Sequence, residues 1–309
     1  MKPGNRLQFI FTVLKGMAMG AADVVPGVSG GTIAFISGIY EELITSINNI
    51  RPALLGIWRR QGFRAFWQAL NGNFLLALVL GIATSVLSLA KGISWLLTEE
   101  PVLIWSFFFG LVVASILYVA RAIGRWTPGG ILALLVGAAL AYLVVSLPVS
   151  EDTGGMGYLF LSGALAICAM ILPGISGAFI LVLLGSYKTV LDAVHERDLQ
   201  IIVVVGLGAV FGLLSFARLL KWMFARYRDL TLALLTGFIA GSLRKIWPWK
   251  EVLETQVFDG KVVPVREAGV WPWDYPGEPR LGLAIALAIA GFALIFLLEG
   301  LARQKKPAP

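Results

Sequence analysis

Six stretches of this chain, 74–90, 102–120, 131–147, 201–217, 230–243 and 281–298, are almost wholly apolar. They approach or exceed the roughly 20 residues a helix needs to cross hydrocarbon. Short charged segments separate them. Strands of a membrane barrel would alternate over ~10 residues, and these runs are continuous, so the expected class is an all-α polytopic membrane protein. Composition agrees: 58% of the residues are hydrophobic and 14% charged, with a mean hydropathy of +0.83, too little polar surface for a water-soluble domain. A net charge of +7 would suit nucleic acid. The basic residues, however, are dispersed between apolar runs and do not gather on one soluble face, so no nucleic acid is expected as a partner. Cys168 and His195 are each the single residue of their type, which rules out an internal disulfide and argues against a metal centre. Lys15 interrupts the first apolar stretch and Asp23 follows it, so the N-terminus reads as a membrane element and not as a cleaved signal.

The chain also repeats itself. Pro26-Gly27-Val28-Ser29-Gly30 returns 147 positions later as Pro173-Gly174-Ile175-Ser176-Gly177. At the same spacing Ile33, Gly38 and Tyr40 meet Ile180, Gly185 and Tyr187. Further on the spacing shortens to 127, and Ser88, Lys91, Trp95, Gly110 and Ser115 meet Ser215, Arg218, Trp222, Gly237 and Ser242. Residues 1–150 therefore form a first repeat, with a hairpin over 7–47 and spans at about 74–90, 102–120 and 131–147. Residues 151–309 form a second, with a hairpin over 158–194, spans at about 201–217, 230–243 and 281–298, and a loop over 244–280. Each hairpin has about 15 apolar-rich residues on either side of its break, short of the ~30 Å core when helical, so a re-entrant hairpin is expected, although two full but short spans would give the same loop parity. Proline removes a backbone donor and glycine permits left-handed turns, so Pro26, Gly27, Pro173 and Gly174 should leave backbone groups to be satisfied by protein, water or ligand.

Loop charges orient this arrangement. With Lys2 and Arg6 inside and each hairpin returning to its own side, Arg51, Arg59, Arg60 and Arg64 fall inside. So do Arg121 and Arg125, then Arg218, Lys221, Arg226 and Arg228, and finally Arg303, Lys305 and Lys306, whereas Glu151, Asp152 and the charge-balanced 244–280 loop fall outside. Three spans between the hairpins, an odd number, make the halves inverted. Both termini are expected in the cytoplasm, with the chain in the inner membrane.

Beyond each break, Ser29-Gly30-Gly31-Thr32 and Ser176-Gly177-Ala178 suit a helix cap followed by free amides, which attract anions. Two such ends near the midplane would favour a phosphate that otherwise faces a large desolvation cost. Asp23 stands three residues before Pro26, and Met170 holds the equivalent place in the second half. A carboxylate at membrane depth is costly, so Asp23 is the candidate for binding a coupling proton or sodium ion, or for capping the first loop. Lys91 and Arg218, matched in the repeat, are the candidate phosphate partners among cations that include Lys15, Arg121 and Arg244, most of them explained as snorkelling residues. Trp247-Pro248-Trp249 and Trp271-Pro272-Trp273 read as interfacial anchors of the outer loop. No catalytic residue is expected. Phosphatase chemistry through a phosphohistidine requires two histidines and the chain has one.

Gly20-Ala21-Ala22-Asp23-Val24-Val25-Pro26-Gly27-Val28-Ser29-Gly30-Gly31-Thr32-Ile33-Ala34 closely resembles the first signature of the PopT family of polyprenyl-phosphate translocases. Leu172-Pro173-Gly174-Ile175-Ser176-Gly177-Ala178-Phe179 is similar to its second. The resemblance covers essentially the whole chain. It implies movement of undecaprenyl phosphate from the outer to the inner leaflet for reuse in envelope synthesis, with the lipid bilayer and the polyprenyl phosphate as partners. Residue spacing by itself is equally compatible with a transporter or channel for a small soluble anion.

Overall fold

A computed structural model describes residues 6–25, 28–150, 154–258 and 261–303. The predicted break residues Pro26 and Gly27, the outer acids Glu151 and Asp152, and Lys2, Lys305 and Lys306 lie outside the described residues. The first half comprises α1 (Arg6–Asp23), α2 (Gly30–Ile36), α3 (Tyr40–Asn48), α4 (Ala53–Leu70), α5 (Gly72–Glu99), α6 (Pro101–Arg121) and α7 (Pro128–Ser146). The second comprises α8 (Met156–Ile171), α9 (Gly177–Leu183), α10 (Tyr187–Glu196), α11 (Leu199–Arg226) and α12 (Arg228–Ser242), then strands β1 (Lys250–Phe258) and β2 (Lys261–Gly269), and α13 (Leu281–Arg303). Helices α5, α6, α7 and α11 are long and apolar enough to cross a membrane. Their ends follow local chemistry. Thr127 accepts a hydrogen bond from the Gly130 amide at 3.1 Å and Pro128 opens α7, while Asp198 caps α11 through the amides of Gln200 and Ile201.

Three features depart from expectation. The second arm of each hairpin is not one helix: α2 and α9 have seven residues each and stop at Gly38 (φ +71°) and Gly185 (φ +66°). There α9 and α10 turn by 107°. The 48–72 segment carries helix α4, broken at Gly62 (φ +82°), with Arg59, Arg60 and Arg64 exposed. The 244–280 loop holds an antiparallel β-hairpin with an irregular register near Glu254, beside the point where Pro264 faces Thr255. A strand tolerates a proline at such a position.

The long helices pack in parallel pairs. Gly16 and Gly20 of α1 touch α5 at Leu78 and Ile82 in turn, and Phe160 and Ala164 of α8 touch Gly208 and Gly212 of α11. Gly110 and Gly291 bring α6 against α13, and Gly137 and Gly237 bring α7 against α12, close enough that a Cβ at any of these four would collide with a carbonyl of the partner helix. Small residues allow this approach, the usual basis of helix association in a medium where apolar side chains gain nothing by leaving lipid. Helices α6 and α12 run in opposite directions. The backbone after α6 (Gly124, Arg125) donates to Asp229 at the start of α12, while Phe109, in the first half of α6, meets Trp247 just past α12.

One end of the bundle gathers the basic segments. Asn71 bonds Ser46, Asn48 bonds the Ala217 carbonyl, Arg228 pairs with Glu41, and Arg121 lies over Phe296. The other end carries the β-hairpin. There Trp247 and Trp249 are packed and hydrogen-bonded to Val270 and Pro279 carbonyls, whereas Trp271 and Trp273 are exposed and stacked. The main core lies between, with Val25, Val28, Ile44, Phe74, Trp105, Leu235 and Ile239 buried. Leu132, Leu135, Leu143, Val203, Leu207 and Phe211 leave α7 and α11 with exposed apolar faces, as a lipid-facing surface requires.

Candidate anion site where the two hairpin tips meet

The first hairpin starts and returns at the basic end: Lys15 of α1 donates to the Ser37 carbonyl past α2 at 2.7 Å. The second does so at the opposite end, where the Tyr158 hydroxyl donates to the Leu184 carbonyl at 2.7 Å, Ser162 and Ser186 hydroxyls lie 2.9 Å apart, and the Ser150 amide donates to the Leu183 carbonyl. Their tips meet inside the bundle. The Ser29 hydroxyl is shared between the carbonyls of Leu172 (3.1 Å) and Met170 (3.3 Å), and the Gly174 amide donates to the Thr32 hydroxyl at 2.8 Å. Ser29 and Thr32 are both 1% exposed, so each tip satisfies polar groups that the other would strand. Gly31 fits because a Cβ would come within 2.7 Å of the Ile171 carbonyl.

The two tips differ in what they leave open. At α2, the Gly30 amide donates to Asp23 Oδ1 at 2.7 Å and the Gly31 amide to Ser29 Oγ at 3.0 Å. The last residue of α1 thus already places a carboxylate on the amide end of α2, the arrangement in which a helix start favours negative charge. At α9 the Ser176 hydroxyl caps no amide, Gly177 is half-buried and Ala178 is exposed. Gly174 (φ +95°) sits against α12, where a Cβ would lie 2.7 Å from Ser242 Oγ, and Pro173 is buried.

Of the residues predicted for the site, Ser29, Gly30, Gly31, Thr32 and Gly174 thus share one hydrogen-bonded junction, with Asp23 on its edge. Ser176, Gly177 and Ala178 continue the second tip from it. Lys91 and Arg218 stand apart from that network, exposed on α5 and α11, and among the described residues neither forms an ion pair. Lys15 serves a structural purpose, closing the end of α2. Two features escaped the sequence: the direct bond between the tips, which no single-segment pattern encodes, and the basic cluster Arg244, Lys245 and Lys250 beside the second hairpin, hidden in a charge-balanced loop. Lys245 lies 5.0 Å from the ring of Phe179 in α9. Among the described residues no three His, Cys, Asp or Glu side chains gather as a metal site would require.

No solved structure matches the chain. A family model described as undecaprenyl phosphate translocase-like matches residues 19–262, which include both tips. A polyprenyl-phosphate transporter of Vibrio cholerae is 47% identical over 97% of this chain and 99% of its own length. A polyprenyl-phosphate transporter of Staphylococcus aureus is 31% identical over 76% of this chain and 85% of its own length. With both signatures inside the matched region and similarity running nearly end to end, the chain belongs to the undecaprenyl phosphate translocase-like family.

Proposed function

We propose that this protein moves a polyprenyl phosphate, undecaprenyl phosphate in the family's terms, from the outer to the inner leaflet of the cytoplasmic membrane. Its relatives are named for polyprenyl-phosphate transport. The observation that carries the mechanism is the bond between the hairpin tips, Ser29 to Leu172 and Gly174 to Thr32. A charged headgroup crossing hydrocarbon needs polar groups at depth while its isoprenoid tail stays in lipid, and a junction of two polar breaks supplies them. The antiparallel run of the equivalent helices α6 and α12 supports inverted halves, and the basic clusters at one end support a cytoplasmic location for that end and for both termini.

The phosphate is received first by Ser176, Gly177 and Ala178, where the Ser176 hydroxyl caps no amide, and passes to Ser29, Gly30, Gly31 and Thr32. At Gly30 it meets Asp23, which occupies the amide the phosphate would use. Two anions cannot share that amide at low cost, so arrival of the phosphate displaces Asp23, which then takes up a proton or a sodium ion. Lys91 and Arg218, exposed at matched positions of the repeat, meet the headgroup on its way between leaflets. Nothing in this cycle makes or breaks a covalent bond, so the protein acts as a carrier and not as an enzyme.

The test is flipping of a fluorescent short-chain polyprenyl phosphate in proteoliposomes, with sulfate and carboxylates as competitors. Protein-dependent flipping that these anions do not abolish is expected. Uptake of sulfate without lipid movement would replace this mechanism with that of a soluble-anion carrier.

A further inference from the structure

At the end of the bundle away from the basic loops lies a cavity of about 600 Å³. It is bounded by the segment after α7, by Phe179 in the first turn of α9, by Arg244 and Lys245 past α12, and by the near side of the β-hairpin. Its charged lining is four cations, Arg244, Lys245, Lys250 and Arg266, against two carboxylates, Glu254 and Glu267. Arg266 and Glu254 neutralise one another in an exposed pair at 2.8 Å. Glu267 is shared by two ammoniums, Lys245 at 3.0 Å and Lys250 at 3.6 Å, so the trio keeps one positive charge.

Arg244 adds a second. Its guanidinium is held by the hydroxyls of Tyr142 and Ser146, both at 2.8 Å, and lies over the Tyr142 ring, with no carboxylate partner among the described residues. Those two neutral acceptors orient the guanidinium without cancelling its charge. The lysine pair is withdrawn from water: the side chains of Lys245 and Lys250 are 16% and 6% exposed, and Lys250 stacks 3.6 Å from the Trp105 ring centre and donates to the Lys245 carbonyl. Two uncompensated charges on the wall of a half-sheltered cavity attract an anion more strongly than scattered surface lysines would.

A phosphate monoester carries between about one and a half and two negative charges near neutrality. We propose that this cavity is a binding site for one phosphate-class oxyanion, with Arg244 and Lys245 as its direct contacts. Inorganic phosphate and a lipid phosphate headgroup share that chemistry. Because Phe179 lies two residues beyond Gly177, an anion held here stands beside the opening of the second hairpin. The choice of a lipid headgroup as the physiological occupant rests on the translocation mechanism above; the existence of the site does not.

Purified full-length protein in nanodiscs should be titrated calorimetrically with inorganic phosphate, and in parallel with vesicles of neutral lipid containing farnesyl phosphate. Wild type should bind both probes. Arg244→Gln and Lys245→Gln should each weaken binding of both about tenfold, while Arg244→Lys keeps most of the affinity and Lys221→Gln, at the opposite end, leaves it unchanged. Melting temperatures of the variants exclude loss of folding as the cause. Unchanged affinity in both glutamine variants, or binding of neither probe by wild type, overturns the site. If those variants also flip lipid at the wild-type concentration dependence, translocation stands without it. Binding of inorganic phosphate but not of farnesyl phosphate vesicles would support the site and count against translocation of the lipid.

Discussion

Asp23 is the residue on which the two tips differ most, because Met170 occupies its place in the second half and cannot cap an amide. Asp23→Asn keeps the shape and an acceptor for the Gly30 amide but removes the charge. The expected result is a flipping rate lowered about tenfold, the weight of a charge-assisted against a neutral hydrogen bond, with its pH dependence flattened. Unchanged transport and unchanged pH response in proteoliposomes would take Asp23 out of the mechanism. A second expectation concerns Lys250. Burial holds its ammonium down, to about 8, against the opposing pull of Glu267. Glu267 is itself kept below its ordinary value, the pull of Lys250 and Lys245 outweighing the upward push of burial. As pH rises from 7 to 9, Lys250 loses its proton while Glu267 stays ionised, so the cavity bounded by Lys245, Arg244 and Arg266 loses positive charge. Phosphate affinity measured by calorimetry should fall over that interval, and in Lys250→Met the fall should vanish. The candidacy of Asp23 is legible in the sequence as a lone carboxylate in an apolar run. The partners of Lys250 are not, since Trp105 and Glu267 are distant in the chain.

Among the elements, the seven-residue helices α2 and α9 follow the two tips, and both stop at a glycine with positive φ. Gly38 has open space where a Cβ would stand, so Gly38→Ala should cost about 1–2 kcal/mol from backbone strain alone, read as a lowered melting temperature in detergent. Helix pairing is a sharper constraint. At Gly110 any side chain meets the Ala288 carbonyl of α13, so Gly110→Val should lose about 3 kcal/mol or fail to accumulate. Gly92, with nothing within 4 Å, should accept alanine with no loss. Gly38 and Gly185 are visible in the sequence as matched positions of the repeat, but their turn appears only once a backbone has to leave the lipid-normal direction. Helix α4 and the β-hairpin carry no comparable mark in the sequence. Polar helices and short strands lack the long apolar signature, although Asp259-Gly260 between two β-branched runs is the usual hairpin cue.

For the molecule as a whole, the arrangement of both hairpins predicts sidedness. In a Cys168→Ser background, a cysteine at Gln61 in α4 should react with an impermeant maleimide only from the cytoplasmic side, and one at Pro148 only from the outside. Labelling of both from one side would remove the opposed geometry on which translocation depends. The all-α membrane class could be read from the amino-acid sequence alone, because hydrocarbon forces long apolar runs and backbone saturation on any chain that crosses it. Which polar groups face one another was settled only by tertiary structure. Ser29 finds Leu172, Thr32 finds Gly174, and two lysines share Glu267, because packing of distant segments and not local propensity decides how buried polar groups are satisfied.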